Sequence, residues 1–305
     1  MKRFIIIMIF CLIAAVIFNI LLDSSAFFTA IVNTLSVWLY KVYPSIFTFY
    51  LIAVLLINTK IIDRFVYYLR AIFKKLKFKN ENGLHLFFLS IFTGNPGSAA
   101  LIGDAIISDA ISTADANQLL KFSSFINPLF IISYLGPYNI KYAIILIFVH
   151  ITANFLIAFF TNRNNQPTII TKKPIAFSLN EFLDSLNKLI GVLLMISAVM
   201  VIANIVYYSL VNILSFLGEI PLLIKIVLAN LEISAGLNHI LALRLSFKIT
   251  LLLFAFLTGF GGLSIHLQVY NVIAKYNLSY SVYFKYRLTQ GIIAVMLLLP
   301  FLMLG

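Results

Sequence analysis

Glu232 and Arg287 each stand inside an apolar run of the length that crosses a bilayer. A charged side chain at that depth costs about 2.5 to 3.5 kcal/mol on insertion scales, so each needs a partner or a polar cavity. Glu232 can ligate a coupling sodium ion, carry a proton, or accept hydrogen bonds from a solute. Arg287 can neutralise Glu232 in a structural pair, or grip the carboxylates of a solute with its planar fork. Two helix-breaking clusters sit in similar apolar settings: Phe92-Thr93-Gly94-Asn95-Pro96-Gly97-Ser98-Ala99 and Leu257-Thr258-Gly259-Phe260-Gly261-Gly262-Leu263-Ser264. A break within the bilayer strands backbone groups that only protein or a water-filled cavity can satisfy. Two such breaks predict one shared binding cavity, the usual sequence pointer to a transporter's solute site. Half-helices starting at Ser98 and at Leu263 or Ser264 are expected to aim unpaired N–H groups into it, a fit for carboxylate or phosphate oxygens. The candidate positions at the breaks are Gly94, Asn95, Gly97, Ser98, Gly261, Gly262 and Ser264.

Amides and hydroxyls complete the candidate set. Asn127, before Pro128, presents a donor and an acceptor at a helix interruption, Gln268 does so beyond the second break, and Ser234 lies in the interruption that begins at Glu232. His266, beside Gln268, is a candidate for protonation, whereas His85, His150 and His239 read as core or interface histidines. Asp104 and Asp109 are expected to face water at the interface. The chain has no His-Glu-x-x-His, phosphate-binding glycine loop, Gly-x-Ser-Gly or paired catalytic carboxylates, so no catalytic residue, enzyme activity or cofactor is expected. No metal site is expected beyond a coupling sodium ion or proton at Glu232.

These residues need apolar helices to hold them, and the composition supplies little else. Of 305 residues, 62% are hydrophobic and 10% charged, and the mean hydropathy of +1.04 excludes a water-soluble domain of this length. The formal net charge of +12 marks cytoplasmic loops and anionic lipid, and no nucleic-acid partner is expected. The single cysteine, Cys11, excludes an intrachain disulfide and a cysteine metal cluster. Expected spans cover about 1–22, 34–58 with a kink at Pro44, 116–135, 142–161, 183–210, 222–245 and 280–304, with broken segments at 84–108 and 249–275. Between 60 and 80, Ile62, Phe65, Val66, Leu69, Ile72, Phe73 and Leu76 recur at helical steps with basic residues on the other faces, predicting one amphipathic helix on anionic lipid. The fold class is therefore an all-α polytopic membrane protein: a two-half bundle of about seven transmembrane helices plus two broken, re-entrant helical hairpins. Residues 1–161 form the N-terminal half, 162–180 a polar linker, and 181–305 a C-terminal half broken at 232–236. Charge places the N-terminus in the cytoplasm of a bacterial cell and lets both hairpins enter from that side. A homo-oligomer is an open expectation.

Five pieces in order resemble a known family: Pro44-Ser45-Ile46-Phe47; Gly94-Asn95-Pro96-Gly97-Ser98-Ala99; Ala116 to Ser123 leading to Asn127-Pro128-Leu129-Phe130-Ile131; Leu231-Glu232-Ile233-Ser234-Ala235-Gly236; and Gly259 to Gln268, with Arg287 in the last span. Over about 40–300 the chain resembles the nucleoside-transporter/ferrous-iron-transporter Gate-domain family, in its sporulation integral membrane protein branch. The resemblance implies membrane transport of a small polar or anionic heteroaromatic solute, dipicolinate-like, in the cell or forespore membrane. A nucleoside or nucleobase is the alternative solute, and a non-transporting scaffold for spore or envelope assembly is the alternative of another class.

Overall fold

The computed structural model describes residues 2–165 and 179–303, and every regular element among them is helical. The prolines and basic residues expected to mark the linker, Pro167, Lys172, Lys173 and Pro174, lie outside the described residues. The chain opens with α1 (Lys2–Leu22) and α2 (Ser24–Val37), the latter capped by the Asp23 carboxylate on the Ala26 N–H. A π-helical turn, Trp38–Val42, joins α2 to α3 (Tyr43–Asn58), so 24–57 forms one apolar rod of 34 residues. Here the expected disturbance at Pro44 takes a definite form. A proline ring collides with the carbonyl four residues earlier, and the wide turn just before it relieves that collision.

The amphipathic stretch 60–80 departs from expectation. It is two short helices, α4 (Ile61–Tyr68) and α5 (Arg70–Lys74), separated at Leu69. Ile62, Val66, Phe73 and Leu76 are buried in the protein core, while Phe65 is exposed. The helical periodicity holds, its buried stripe meets α3 and α6, and Asp63 is buried against His85 at 3.2 Å.

Then come α6 (Glu81–Thr93), α7 (Gly97–Ile107), α8 (Thr113–Leu119), α9 (Pro128–Leu135) and α10 (Ile140–Thr161). After the linker, α11 (Leu179–Leu217) runs for 39 residues. It is followed by α12 (Leu222–Leu228), α13 (Ile233–Ala242), α14 (Phe247–Phe260), α15 (Gly262–Ile273) and α16 (Tyr280–Met303). Among the described residues five helical rods are long and apolar enough to cross a membrane: 24–57, 140–161, 182–217, 247–276 and 280–303. The remaining apolar chain lies in α1 and in shorter helices joined at breaks, the architecture of a polytopic membrane protein.

The first broken segment folds back as expected: α6 packs on α7, and Asn80 at its open end bonds to the Ala110 carbonyl at 3.1 Å. The second break falls at Gly261, as expected, yet its arms do not pack along each other: α14 lies mainly on α16 and α15 mainly on α7 and α11, with α13 against both. The fold-back of the second half belongs to α12 and α13, whose open end brings Lys225 and His239 around one cavity with Val211 and Ser215 of α11. The open end of the first hairpin lies at the other end of α11, where Lys188 bonds to Asp104 at 3.0 Å. The two hairpins therefore enter from opposite ends of α11. Charge counting over 84–108 and 249–275 favours one side for both, whereas the fold-back in the second half is α12 with α13.

Candidate functional site

Three breaks in the helices converge, and each must dispose of its backbone polar groups inside the protein. At the first hairpin tip, Gly94 takes a φ of +59°, and a Cβ there would lie 3.1 Å from the Asn127 nitrogen. Such a tight approach, with a left-handed φ, is a place for glycine. Asn95 next to it donates its N–H to the Phe125 carbonyl at 2.8 Å, donates from its amide to Tyr283 Oη at 3.2 Å, and accepts from Ser98 Oγ at 2.8 Å. The tip thus rests on the stretch between α8 and α9.

That stretch, 123–127, has no regular structure, and a set of buried polar side chains holds its backbone. Arg287 of α16 donates to the Ser124 carbonyl at 2.6 Å and to the Lys121 carbonyl at 2.9 Å. From α10, Asn154 donates to the same Ser124 carbonyl at 3.2 Å, and His150 Nε2 accepts the Ile126 N–H at 2.9 Å. Gln290, beside His150, accepts from Arg287. Asn127 closes the stretch as the cap of α9: its carbonyl oxygen accepts from Leu129 N–H at 2.9 Å, and its amide donates to the Ser45 carbonyl at 2.9 Å.

The second hairpin tip meets α15 in an analogous way. Glu232 caps α13, accepting the Ala235 N–H at 2.6 Å, and is 1% exposed. The first N–H groups of α15 are already used, Leu263 donating to the Asn230 carbonyl at 2.6 Å and Ser264 to the Leu231 carbonyl at 3.0 Å. Gly236 lets the hairpin close, because a Cβ there would lie 1.9 Å from the Ala229 carbonyl oxygen.

These contacts correct several sequence expectations. Arg287 does not pair with Glu232, and among the described residues neither has a salt-bridge partner. Arg287 does not face the cavity either; it is 1% exposed and spends its donors on the unwound backbone. The N–H groups expected to be free for an anion are occupied at Leu263 and Ser264, and the Ser98 N–H donates to the Gly94 carbonyl at 2.7 Å. His266 is likewise structural: Nε2 donates to the Phe260 carbonyl at 3.1 Å, so Nδ1 must accept from the Tyr280 hydroxyl at 3.1 Å. Gly94, Gly97, Ser98, Gly261, Gly262 and Ser264 build the tips behind the cavity and do not line it.

The cavity between the tips is partly open and leaves about 40 Å³ of space that water can reach. Five of the candidate residues line it together: Asn95, Asn127, Glu232, Ser234 and Gln268. The rest of the wall is apolar, with Ile46 of α3, Ile126, Phe130 of α9, Ile196 and Met200 of α11, and Ile265 of α15. Among the described residues Glu232 is the sole ionisable liner, and no described lysine or arginine lines the cavity. Tyr134 and Ser234 stand close to its carboxylate, and Lys41, from the π-helical turn, lies 4.3 Å over the Tyr134 ring. Sequence reasoning missed the α3 and α11 walls, because these helices are unbroken at Ile46, Ile196 and Met200 and carry no composition signal there. Phe130, just after Asn127-Pro128, was legible as a motif but not as a wall.

A multi-pass, all-helical membrane protein with paired hairpin tips around a central cavity is the class this fold and site define. The chain is similar to the sporulation integral membrane protein YlbJ of Bacillus subtilis (strain 168), 25% identical over 317 residues, which covers 90% of this chain and 78% of that protein. No family model matches the chain, and no solved structure matches it.

Proposed function

We propose that this protein carries a small heteroaromatic solute across a bacterial cell membrane. The observation that supports this reading most is the cavity between two hairpins that enter from opposite ends of the bundle, with a lone carboxylate, Glu232, and a free amide, Gln268, in its wall. The space that water can reach there is about 40 Å³, smaller than a small-molecule site, so the solute enters as the hairpin tips part. The apolar wall suits an aromatic ring, and Gln268, Asn95 and Glu232 offer donors and acceptors to its edge.

An uncharged solute of the nucleoside or nucleobase type fits this lining best. A dicarboxylate would meet the Glu232 carboxylate with no cation lining the cavity. The dipicolinate-like reading draws on the similarity to a sporulation protein, and it requires Glu232 to be protonated when the solute is bound. In either case Glu232 is the proposed seat of coupling to protons or sodium, and the forespore membrane is a proposed location. Uptake of labelled uridine and labelled dipicolinate into proteoliposomes, with and without a proton or sodium gradient, tests the reading. Uptake of one solute that is lost in Glu232→Gln and Gln268→Ala is the expected outcome. Uptake of neither by a monodisperse protein would favour the scaffold reading.

A further inference from the structure

The long helix α11 borders four cavities in succession. Nearest the linker, Lys188, Val192 and Met195 face a partly open cavity of about 380 Å³, with Asp104 and Tyr276 also in its wall. Next to Met195, Ile196, and then Met200, face the central cavity. Met200, Asn204 and Tyr207 face a third, also partly open, of about 380 Å³, and Glu232 and Ser234 border both it and the central one. Val211 and Ser215 then face a fourth of about 380 Å³, and His239 borders both the third and the fourth.

Apart from the adjacent Met195 and Ile196, these positions follow one another along α11 at steps of three or four residues, a single slowly winding stripe. From Lys188 to Ser215 the helix rises about 40 Å at 1.5 Å per residue, close to the thickness of a bilayer with its headgroups. Packed protein interiors leave few voids larger than a water molecule. These cavities are partly open to the surface, and one face of α11 borders all four of them. The opposite side of the same helix carries Ile190, Leu194 and Ile202, all exposed, as a surface towards lipid would.

We infer that this stripe of α11 is the fixed wall of the solute's route across the membrane, an inference that rests on the transporter reading. Met195 and Met200 close the route on either side of Ile196. Met195 Sδ accepts from the Asn271 amide at 2.9 Å, and Met200 is 2% exposed where the central and third cavities meet. Methionine suits a gate, since three rotatable bonds let it yield without a change in the backbone. Beyond Met200, Asn204 donates its amide to the Ala30 carbonyl and to Thr34 Oγ1 of α2, which ties the two walls of the third cavity together, and Tyr207 lines the same wall.

Water access along α11 is measurable without assuming any solute. With Cys11 replaced by serine, single cysteines at Val192, Ile196, Asn204 and Val211 are compared with cysteines at the lipid-facing Leu194 and Ile202, in proteoliposomes treated with a membrane-impermeant cationic methanethiosulfonate. The reagent attacks the thiolate, which forms in water and not in hydrocarbon, so the stripe should react at least about tenfold faster than the two comparators. Val192→Cys should react from one face of the membrane and Val211→Cys from the other. Stripe cysteines as slow as Leu194→Cys and Ile202→Cys would overturn the inference, as would Val192→Cys and Val211→Cys reacting from the same face. In Met200→Trp, uptake should stop while the Val192 and Val211 positions still label; undiminished uptake would reject the gate. Rapid stripe labelling in a wild-type protein that moves neither uridine nor dipicolinate would support the route and reject those solutes, so the two readings fail separately.

Discussion

Arg287 and Glu232 are both buried charges, and the structure gives them unlike tasks. Arg287 donates to the Lys121 carbonyl and the Gln290 amide oxygen and shares the Ser124 carbonyl with Asn154, so its loss leaves buried acceptors bare. Each unsatisfied group costs about 1–3 kcal/mol. Arg287→Ala should therefore lower the thermal unfolding midpoint sharply, by an amount on the order of 2–3 kcal/mol, with Arg287→Lys intermediate because a point charge cannot bridge two carbonyls. Unfolding monitored by size-exclusion chromatography after heating reads this. Unaltered stability together with lost solute binding would instead return Arg287 to the solute. Gly236→Ala should abolish monodisperse protein, since its Cβ would lie 1.9 Å from a carbonyl oxygen, whereas Gly191→Ala, with nothing within 4 Å, should leave stability within about 0.5 kcal/mol. Of the residues legible in the sequence, Asn95, Asn127, Glu232, Ser234 and Gln268 do line the cavity. Arg287 and the tip glycines were picked out correctly as unusual residues, but their partners are as much as 166 positions away along the chain, beyond what any local pattern reports.

At the scale of elements, the breaks were legible and their geometry was not. Gly94-Asn95-Pro96 and Gly261 end helices where their types say they must, and the π-helical turn before Pro44 follows from the proline's own sterics. Which broken segment turns back depends on what each arm packs against, and only the tertiary contacts fix that. Hairpins entering from opposite ends make a topological prediction. In a Cys11→Ser background, Ser108→Cys, beyond α7, and Glu219→Cys, between α11 and α12, should react with an impermeant maleimide from opposite faces of the membrane. Reaction from the same face would restore the arrangement that charge alone favours. The stretch 60–80 shows the converse limit: a periodic apolar stripe declares a buried face without saying whether lipid or protein covers it.

For the whole molecule, a solute held in the central cavity should stabilise the fold by mass action. At a concentration about 100 times its dissociation constant the gain is about 2.7 kcal/mol, visible as a rise in the unfolding midpoint. The rise should appear with one of uridine and dipicolinate, and it should vanish in Gln268→Ala, whose amide makes no call on the rest of the fold. No shift with either would separate this protein from both solutes. By itself the sequence determined that the chain lives in a membrane, where its helices must break, and which polar residues are costly enough to need a purpose, because those follow from transfer free energies and backbone sterics that act locally. Only the tertiary structure decided that Arg287 serves the backbone instead of a ligand, that the second hairpin is α12 with α13, and that α11 supplies a wall along its length. Each of these depends on which surfaces meet across the bundle, and a helix's sequence fixes its apolar and polar faces without naming what will lie against them.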